Sequence, residues 1–223
     1  NHLPHGDIQL VFTVSEEVHL MGVHCLDISK IRASFGYTLD CTGPAGHIFT
    51  SSPTHDSIVA TFTGRAAHTG FEPEKGRNAI QIAARAIARM NIGRIDEETT
   101  ANIGIISGGF ATNIVPPFAT IEGEARSHNT EKLDLQIAHM KECINRAADE
   151  SGASVKIKTQ RHYLHYHLPD DSPVVQHAVA AATAAGFEPK ILASGGGSDA
   201  NVFNEKGFTI APIGTAMQGC HTT

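Results

Sequence analysis

The sequence predicts an α/β protein in which a smaller domain is inserted into a larger one. Three observations lead to this prediction. Strand and helix signals alternate in residues 1–52, the pattern changes to β-α-β-β-α-β in residues 53–167, and the alternation returns in residues 168–223. Strands separated by helices favour a parallel sheet in the outer domain. The inserted order is typical of a ferredoxin-like domain with both helices on one face of its sheet.

The outer domain is predicted from two separate segments. The apolar run Ile8 to Val14 indicates a buried strand, and a helix over residues 16–33 and a strand over residues 35–40 follow it. The Gly/Pro/Ser-rich passage from Cys41 to Pro53 is typical of a linker. The second segment begins with an alanine-rich helix whose N-cap is Ser172. Its further elements are a strand at 191–193, a helix to about Asn204 and a strand at 208–213.

The inserted domain is predicted from two amphipathic helices and four strands. Apolar residues at helical spacing mark a helix from Asn78 to Met90 and a second one through Leu133, Ile137, Met140, Ile144 and Ala147. The β-rich runs are residues 57–63, 101–107, 115–125 and 155–163. Alternation between the two kinds of signal therefore predicts one sheet with one helix-covered face.

The composition and charge of the chain argue against some classes of partner. The chain has 17 basic and 23 acidic residues, a net charge of −6, and no Lys/Arg stripe that would neutralise phosphates, which argues against a nucleic-acid partner. No run reaches the ~18 apolar residues of a membrane span, so we expect no membrane partner and a cytoplasmic location. The four cysteines form no Cys-x-x-Cys pair, which indicates free thiols. His162, His165 and His167 lie in a polar run and are predicted to be at the surface.

The ends of the sequence have features of a fragment. The chain opens on Asn1, within a few residues of a predicted strand, and closes on His221-Thr222-Thr223 directly after a Gly-rich turn. We therefore interpret the sequence as part of a longer protein.

Two adjacent carboxylates, Glu16 and Glu17, follow the first predicted strand. Because neighbouring side chains on a strand point opposite ways, one carboxylate can face a metal while the other faces its bound water. Asp40 and His221 follow other predicted strands, and a carboxylate/imidazole set suits zinc. Taken alone, each of these residues is better explained as part of an ordinary turn or tail, whereas together they predict a metal-assisted hydrolase.

A glycine-rich loop, Gly195 to Asp199, precedes the last predicted helix. Its amides, with Gly196 and Ser198 as the candidate residues, could bind an anionic group, although a tight turn explains the same pattern. The inserted domain contributes His68 among small residues, Asn113 before Ile-Val-Pro, and Arg126 at the end of a strand. An arginine there could bind a substrate carboxylate in bidentate fashion, or form a surface salt bridge.

These segments, in this order, resemble the cocatalytic zinc exopeptidases that include peptidase T, carboxypeptidase G and succinyl-diaminopimelate desuccinylase, and most closely the peptidase T-like tripeptidases. The resemblance spans almost the whole chain. The matching stretches are Thr13 to Glu17, Gly64 to Gly70, Pro73 to Ile80, Thr112 to Pro116, Gly123 to Ser127, Gly195 to Asn201 and His221 to Thr223.

The resemblance implies roles for these residues. Glu16 is the general base, Glu17 and His221 hold one of two zinc ions, and Asp40 helps to hold the other. His68 stabilises the oxyanion, often in the partner subunit's site, and Asn113 and Arg126 bind substrate. It also implies that residues 1–52 and 168–223 form a partial catalytic domain, and that residues 53–167 form a lid that dimerises.

The family pattern also contains a histidine and a bridging aspartate from a segment that would precede residue 1, and nothing in this chain replaces them. The resemblance thus implies a dizinc aminopeptidase of small peptides for the parent protein. Two alternatives remain open at this point: an N-acyl amino acid deacylase with the same ligands, and a non-catalytic dimerising module.

Overall fold

The computed structural model describes residues 5–217, and these divide into two compact units. Unit 1 comprises the described residues of Asn1–Pro53 and Tyr163–Thr223, and unit 2 is Thr54–His162. The helices are α1 (Met21–Cys25), α2 (Ala79–Arg89), α3 (Thr130–Ser151), α4 (Pro173–Ala184) and α5 (Asp199–Glu205). The strands are β1 (Gly36–Thr42), β2 (His47–Ser52), β3 (Thr54–Thr63), β4 (Gly93–Arg94), β5 (Thr99–Gly108), β6 (Phe118–Ser127), β7 (Ser154–Tyr163), β8 (Tyr166–His167), β9 (Lys190–Ala193) and β10 (Ile210–Met217).

The sheet of unit 1 is mixed, so the prediction of a parallel sheet was wrong. Its strand order is β1-β10-β2-β8, with β9 also paired to β2. β1 pairs with β10 and β2 with β9 in parallel, but β2 pairs with β10 and β8 in antiparallel fashion. The antiparallel strand β2 lies inside the passage that the sequence analysis interpreted as a linker. That interpretation was wrong because the glycines and prolines there flank a strand instead of replacing it.

The predicted strand from Ile8 to Val14 is also absent from the structure. Residues 8–13 have no regular secondary structure, and the apolar side chains of Phe12 and Val14 are 89% and 73% exposed. A strand is stable only when its backbone groups pair with a neighbour, and no strand in the described part of the chain pairs with this segment. The predicted helix over residues 16–33 is reduced to a turn, the short helix α1 and a 3₁₀ turn at Ile28–Lys30.

Unit 2 has the predicted β-α-β-β-α-β order with one addition, the two-residue strand β4 after α2. Its sheet order is β4-β5-β6-β3-β7, with β6 antiparallel to both β3 and β5. Side chains of α2 and α3 share one buried cluster with alternate residues of these strands. Its fully buried large members are Phe62, Ile58, Ile121, Leu133, Met140 and Ile144. Burial of each of these side chains contributes about 1.5–3 kcal/mol. Because both helices pack on this one cluster, they lie on the same face of the sheet, and the other face is open.

Local signals explain where the helices of unit 2 begin and end. The side chain of Asn78 accepts a hydrogen bond from the backbone of Gln81, and Asn129 accepts from the first turn of α3. α3 ends at Gly152, whose φ of 61° is a left-handed conformation that glycine adopts without strain. These caps stabilise helix ends by about 1 kcal/mol each. No helix within residues 5–217 is both long enough and apolar enough to cross a membrane.

Candidate active site

Glu16 and Glu17 lie in a tight turn of unit 1 that leads into α1. The turn is closed by a hydrogen bond from the backbone N–H of Leu20 to the carbonyl of Glu16, at 2.9 Å. Ser15, His19 and Leu20 all have a positive φ, between 55° and 60°. This conformation costs a non-glycine residue about 1–2 kcal/mol. The turn is therefore strained on both sides of the two carboxylates, and strain of this kind clusters at functional sites.

Glu16 is electrostatically coupled to three other carboxylates. Partial burial and the nearby charges of Asp40, Glu17 and Asp199 raise the pKa of Glu16 to about 7. Burial is the largest cause, because it removes water that would stabilise the ionised form. Glu16 therefore belongs to an acidic cluster with Glu17, Asp40 and Asp199, in which a turn and not the end of a strand positions the pair. The roles that the sequence predicts for Glu16, Glu17 and Asp40 stay predictions.

Asp199 is the member of this cluster to which the sequence analysis gave no role. It lies at the first position of α5 and is only 7% exposed. Its Oδ2 accepts a hydrogen bond from Thr13 Oγ1 at 2.5 Å, while its Oδ1 is buried without a partner. Burial raises its pKa. The signal that could have revealed it is the glycine-rich run directly before it, which marks a loop at the end of β9.

The donors of the cluster are suited to a divalent metal in chemistry but supply only part of a site. Carboxylate oxygens are zinc ligands, and a cation would relieve the mutual repulsion that raises the pKa of Glu16. Within the described residues, however, no group of three His, Cys, Asp or Glu side chains is arranged to hold a metal ion. The fourth predicted residue, His221, lies outside the described residues.

The glycine-rich loop of unit 1 is held by its own hydrogen bonds. The carbonyl of Gly196 accepts from the hydroxyls of Ser52 and Ser194, at 2.9 and 2.8 Å. The hydroxyl of Ser198 caps α5 by accepting from the backbone of Ala200, and Asn201 completes the capping box. The predicted substrate-binding role of Gly196 and Ser198 stays a prediction, since these contacts also explain the motif as a helix start.

In unit 2, His68 and Asn113 are brought side by side. The loop that carries His68 forms an antiparallel bridge to Ile114, and the backbone of Thr69 donates to the carbonyl of Asn113. Nδ1 of His68 accepts a hydrogen bond from the backbone of Gly70 at 3.1 Å. A neutral imidazole that accepts at Nδ1 carries its proton on Nε2, so His68 presents an Nε2–H donor. Both side chains are exposed.

Arg126 lies on β6, on the open face of unit 2. Its Nε and Nη2 donate to the two carboxylate oxygens of Glu124, at 3.0 and 3.1 Å. Nε2 of His55 lies 3.0 Å from Oε2 of the same glutamate. The hydrogen bonds from His55 and Arg126 lower the pKa of Glu124 to about 2. Arg126 is thus part of a polar network that extends from the buried His55 through Glu124 to the partly exposed guanidinium.

One histidine contradicts the sequence analysis. His162 was predicted to lie at the surface, but it is only 7% exposed at the end of β7. Its Nε2 hydrogen-bonds with the hydroxyl of Ser57 at 2.8 Å, and its ring lies 4.9 Å from that of His55. The surface prediction failed because it rested on the polar residues around His162, whereas successive side chains of a strand alternate between the two faces of the sheet and differ in burial.

Comparison with known proteins identifies relatives of this chain. The family profile described as Peptidase dimerisation domain matches residues 50–152. The uncharacterized protein YqjE of Bacillus subtilis (strain 168) is 42% identical over 221 residues, which is 99% of this chain and 60% of that protein. The chain therefore spans less than two thirds of the length of this curated relative.

Two solved structures resemble the chain over nearly all of its length. An aminopeptidase PepT from Bacillus cereus ATCC 10987 is 43% identical with a TM-score of 0.86, covering 94% of this chain and 56% of that one. A tripeptidase from Staphylococcus aureus subsp. aureus Mu50 is 38% identical with a TM-score of 0.94, covering 99% and 59%.

Proposed function

Because this chain is a peptidase T-like member of the exopeptidase family described above, we propose that the protein containing it is a zinc-dependent exopeptidase of small peptides, similar to a tripeptide aminopeptidase. The observation that carries the proposal is the environment of Glu16. Its half-buried carboxylate lies in a strained turn, and burial together with the charges of Asp40, Glu17 and Asp199 raises its pKa, so a cation bound among these carboxylates would be favoured and Glu16 is positioned to act as the base beside it.

The proposed catalytic residues of this chain have separate roles. Glu17, Asp40 and His221 would hold the zinc pair, together with ligands from elsewhere in the protein. Zinc held there would supply an acidified water molecule and a Lewis acid for the substrate carbonyl. Glu16 would accept the proton of the attacking water and later give it to the leaving amine. His68 donates its Nε2–H to the oxyanion, and its tautomer is already set by Gly70.

Asn113 and Arg126 are proposed to bind the substrate. A small peptide ends in a carboxylate, and a guanidinium is the side chain best shaped to bind it with two hydrogen bonds. Arg126 is held on a strand and Asn113 on a backbone-paired loop, so both are supported by ordered structure. We place the protein in the cytoplasm and propose no nucleic-acid or membrane partner.

The two edges of the unit 2 sheet support a homodimer. β4 pairs only with Thr100 and Ala101 of β5, and on that side no strand in the described residues pairs with 103–108. This segment carries no charge, and Ile105 and Ile106 are 53% and 49% exposed. At the opposite edge, β7 exposes Lys156 and Lys158, which hinder pairing with another strand.

We therefore propose that a second copy pairs with the β5 edge. Ile105 is opposite Glu122 and Ile106 is opposite the buried Ile121, so the two isoleucines lie on opposite faces of the sheet. Antiparallel pairing about a two-fold axis would satisfy the exposed backbone groups and bury apolar side chains on both faces.

The test of the proposed function is a substrate panel on the complete protein with zinc added. We expect the highest kcat/KM for a tripeptide, a lower value for a dipeptide, and little hydrolysis of an N-acetyl amino acid. Preference for the N-acetyl amino acid would replace the proposal by a deacylase. No hydrolysis of any of the three, with less than one zinc bound per chain, would overturn it in favour of a non-catalytic module.

A further inference from the structure

Glu124 and Arg126 belong to a polar strip on the open face of unit 2. They flank Ala125, which is fully buried against the helices, so both side chains point to the opposite face. Directly opposed residues on neighbouring strands share a face. His55 and Thr100 are opposite Arg126, and Ser57 and Asn102 are opposite Glu124. The strip is made of these six polar side chains and contains no apolar one.

Within this strip, Glu124 holds Arg126 in one orientation. Its two oxygens accept from Nε and Nη2 of Arg126, which uses two of the five guanidinium donors along one edge. His55 anchors the same carboxylate, and its own side chain is 8% exposed, whereas Arg126 and Glu124 are 29% and 39% exposed. The network is therefore anchored in the sheet at His55 and reaches solvent at both Arg126 and Glu124.

A second arginine in unit 2 makes the same kind of fork, two parallel hydrogen bonds from Nε and Nη2 to one carboxylate, but on the helix-covered face of the sheet. Nε and Nη2 of Arg161 donate to Asp56 at 2.8 and 3.0 Å, and Nη2 also donates to Asp134 of α3 at 2.6 Å. This pair joins β3 and β7 to a helix, so it braces the covered side of the sheet. Two carboxylates on one guanidinium give a net negative cluster, which repels a further anion. Arg161 is thus a structural counterpart of Arg126.

We propose that Glu124, supported by His55, is a positioning residue that orients the guanidinium of Arg126 to bind the carboxylate of a substrate peptide. The inference rests on the proposed function. A free arginine side chain loses rotamer entropy when it binds. An arginine already held by Glu124 loses less of it, so the same contacts bind the substrate more tightly.

The test compares a tripeptide with its C-terminal amide in the complete protein. Glu124→Gln keeps the shape of the side chain but replaces one acceptor oxygen by a donor. We expect Glu124→Gln to raise KM for the free acid roughly tenfold, with kcat within twofold and KM for the amide unchanged. Arg126→Ala should show the same selectivity with a larger effect. In the Arg126→Ala background, Glu124→Gln should have no further effect.

Asp56→Asn is the matched control, because it breaks the corresponding fork on the covered side. It should lower the melting temperature and leave the acid-to-amide ratio of KM unchanged. The proposal is overturned if Glu124→Gln affects acid and amide equally, or if its effect persists in full without Arg126.

A separate measurement applies if the wild-type protein hydrolyses neither peptide, which would refute the proposed function. The NMR signal of Arg126 Nε–H then decides the inference. A shift on addition of the free-acid tripeptide that is lost in Glu124→Gln keeps the proposal, and no shift in the wild type overturns it.

Discussion

Glu16 of unit 1 and Glu124 of unit 2 are chemically identical carboxylates whose pKa values move in opposite directions. Burial and three acidic neighbours raise the pKa of Glu16 to about 7, while His55 and Arg126 lower that of Glu124 to about 2. The difference is one of partners, because both side chains are partly buried. An acid beside cations is a stable anion, and an acid beside other acids favours a proton or an added cation.

The two units as wholes also differ in how completely their buried polar groups are paired and their apolar side chains are covered. Unit 2 pairs its buried charges within itself, for example Asp56 with Arg161, and closes one core around two helices. Unit 1 leaves a carboxylate oxygen of Asp199 buried without a partner and an apolar segment, residues 8–14, largely exposed. Groups left unsatisfied in a fold mark the positions where binding of something further would be most favourable.

The largest effect is expected from Glu16→Gln. If Glu16 is the general base, kcat of the complete protein should fall by about 10²–10⁴, while bound zinc stays constant because no ligand is lost. Zinc is measured by elemental analysis alongside peptide hydrolysis. Glu17→Gln is the comparison variant and should lower zinc content. An equal loss of zinc in both variants would contradict the division of roles.

Ile106→Lys tests whether the β5 edge of unit 2, whose residues 103–108 lack a neighbouring strand on that side among the described residues, forms the homodimer interface. Burying two unpaired lysines at a two-fold interface should weaken a homodimer at least about 100-fold, as measured by sedimentation velocity. Thr61→Lys, on the open face of the interior strand β3, should leave the dimer intact. A dimer that survives Ile106→Lys would place the interface elsewhere.

Glu124→Gln should change stability in a manner that depends on pH. The folded pKa of about 2 is below the ordinary value of 4.5, so ionised Glu124 stabilises unit 2 above about pH 4.5, and this stabilisation is lost as pH falls towards 2. We expect the melting temperature to fall by roughly 2–5 °C at pH 7, with a smaller difference at pH 3. Glu122→Gln, an exposed neighbour on the same strand, is the control and should show no such trend.

Glu16→Gln should have the opposite and smallest effect on stability. Its folded pKa of about 7 lies above the ordinary 4.5, so ionisation opposes folding, and stability declines as pH rises from 4.5 through 7. The variant should therefore melt about 1–2 °C higher than the wild type at pH 8 without metal, and no higher at pH 4. A variant that melts lower at pH 8 would show that Glu16 has a stabilising partner.

Local patterns account for most of what could be predicted. The helix of residues 78–90 and the strands of unit 2 follow from apolar spacing and Asn caps, which act over a few residues. The fork between Glu124 and Arg126 also has a local origin, since residues two apart on a strand share a face. The expectation that Glu16, Glu17 and Asp40 lie together rested on loops after strands meeting at one edge of a sheet, and the metal site itself stays a prediction.

The errors concern pairing across long distances. Residues 8–14 have the composition of a strand, but a strand exists only beside another, and none of the described strands pairs with them. β2 lies in a Gly/Pro-rich passage and was not predicted, because its partners β8, β9 and β10 are all more than 110 residues away. His55 and His162 are buried together only because β3 and β7 are neighbours in the sheet.

The sequence by itself determined the α/β class, the family, and the residue types that chemistry requires, because these depend on composition, short spacing and ordered motifs. Only the tertiary structure decided which way each carboxylate titrates and which arginine braces the sheet. It also decided which edge of unit 2 is left without a strand. Those properties depend on neighbours that lie far apart in the chain, and electrostatic and hydrogen-bonding energies depend on such distances within a few ångströms.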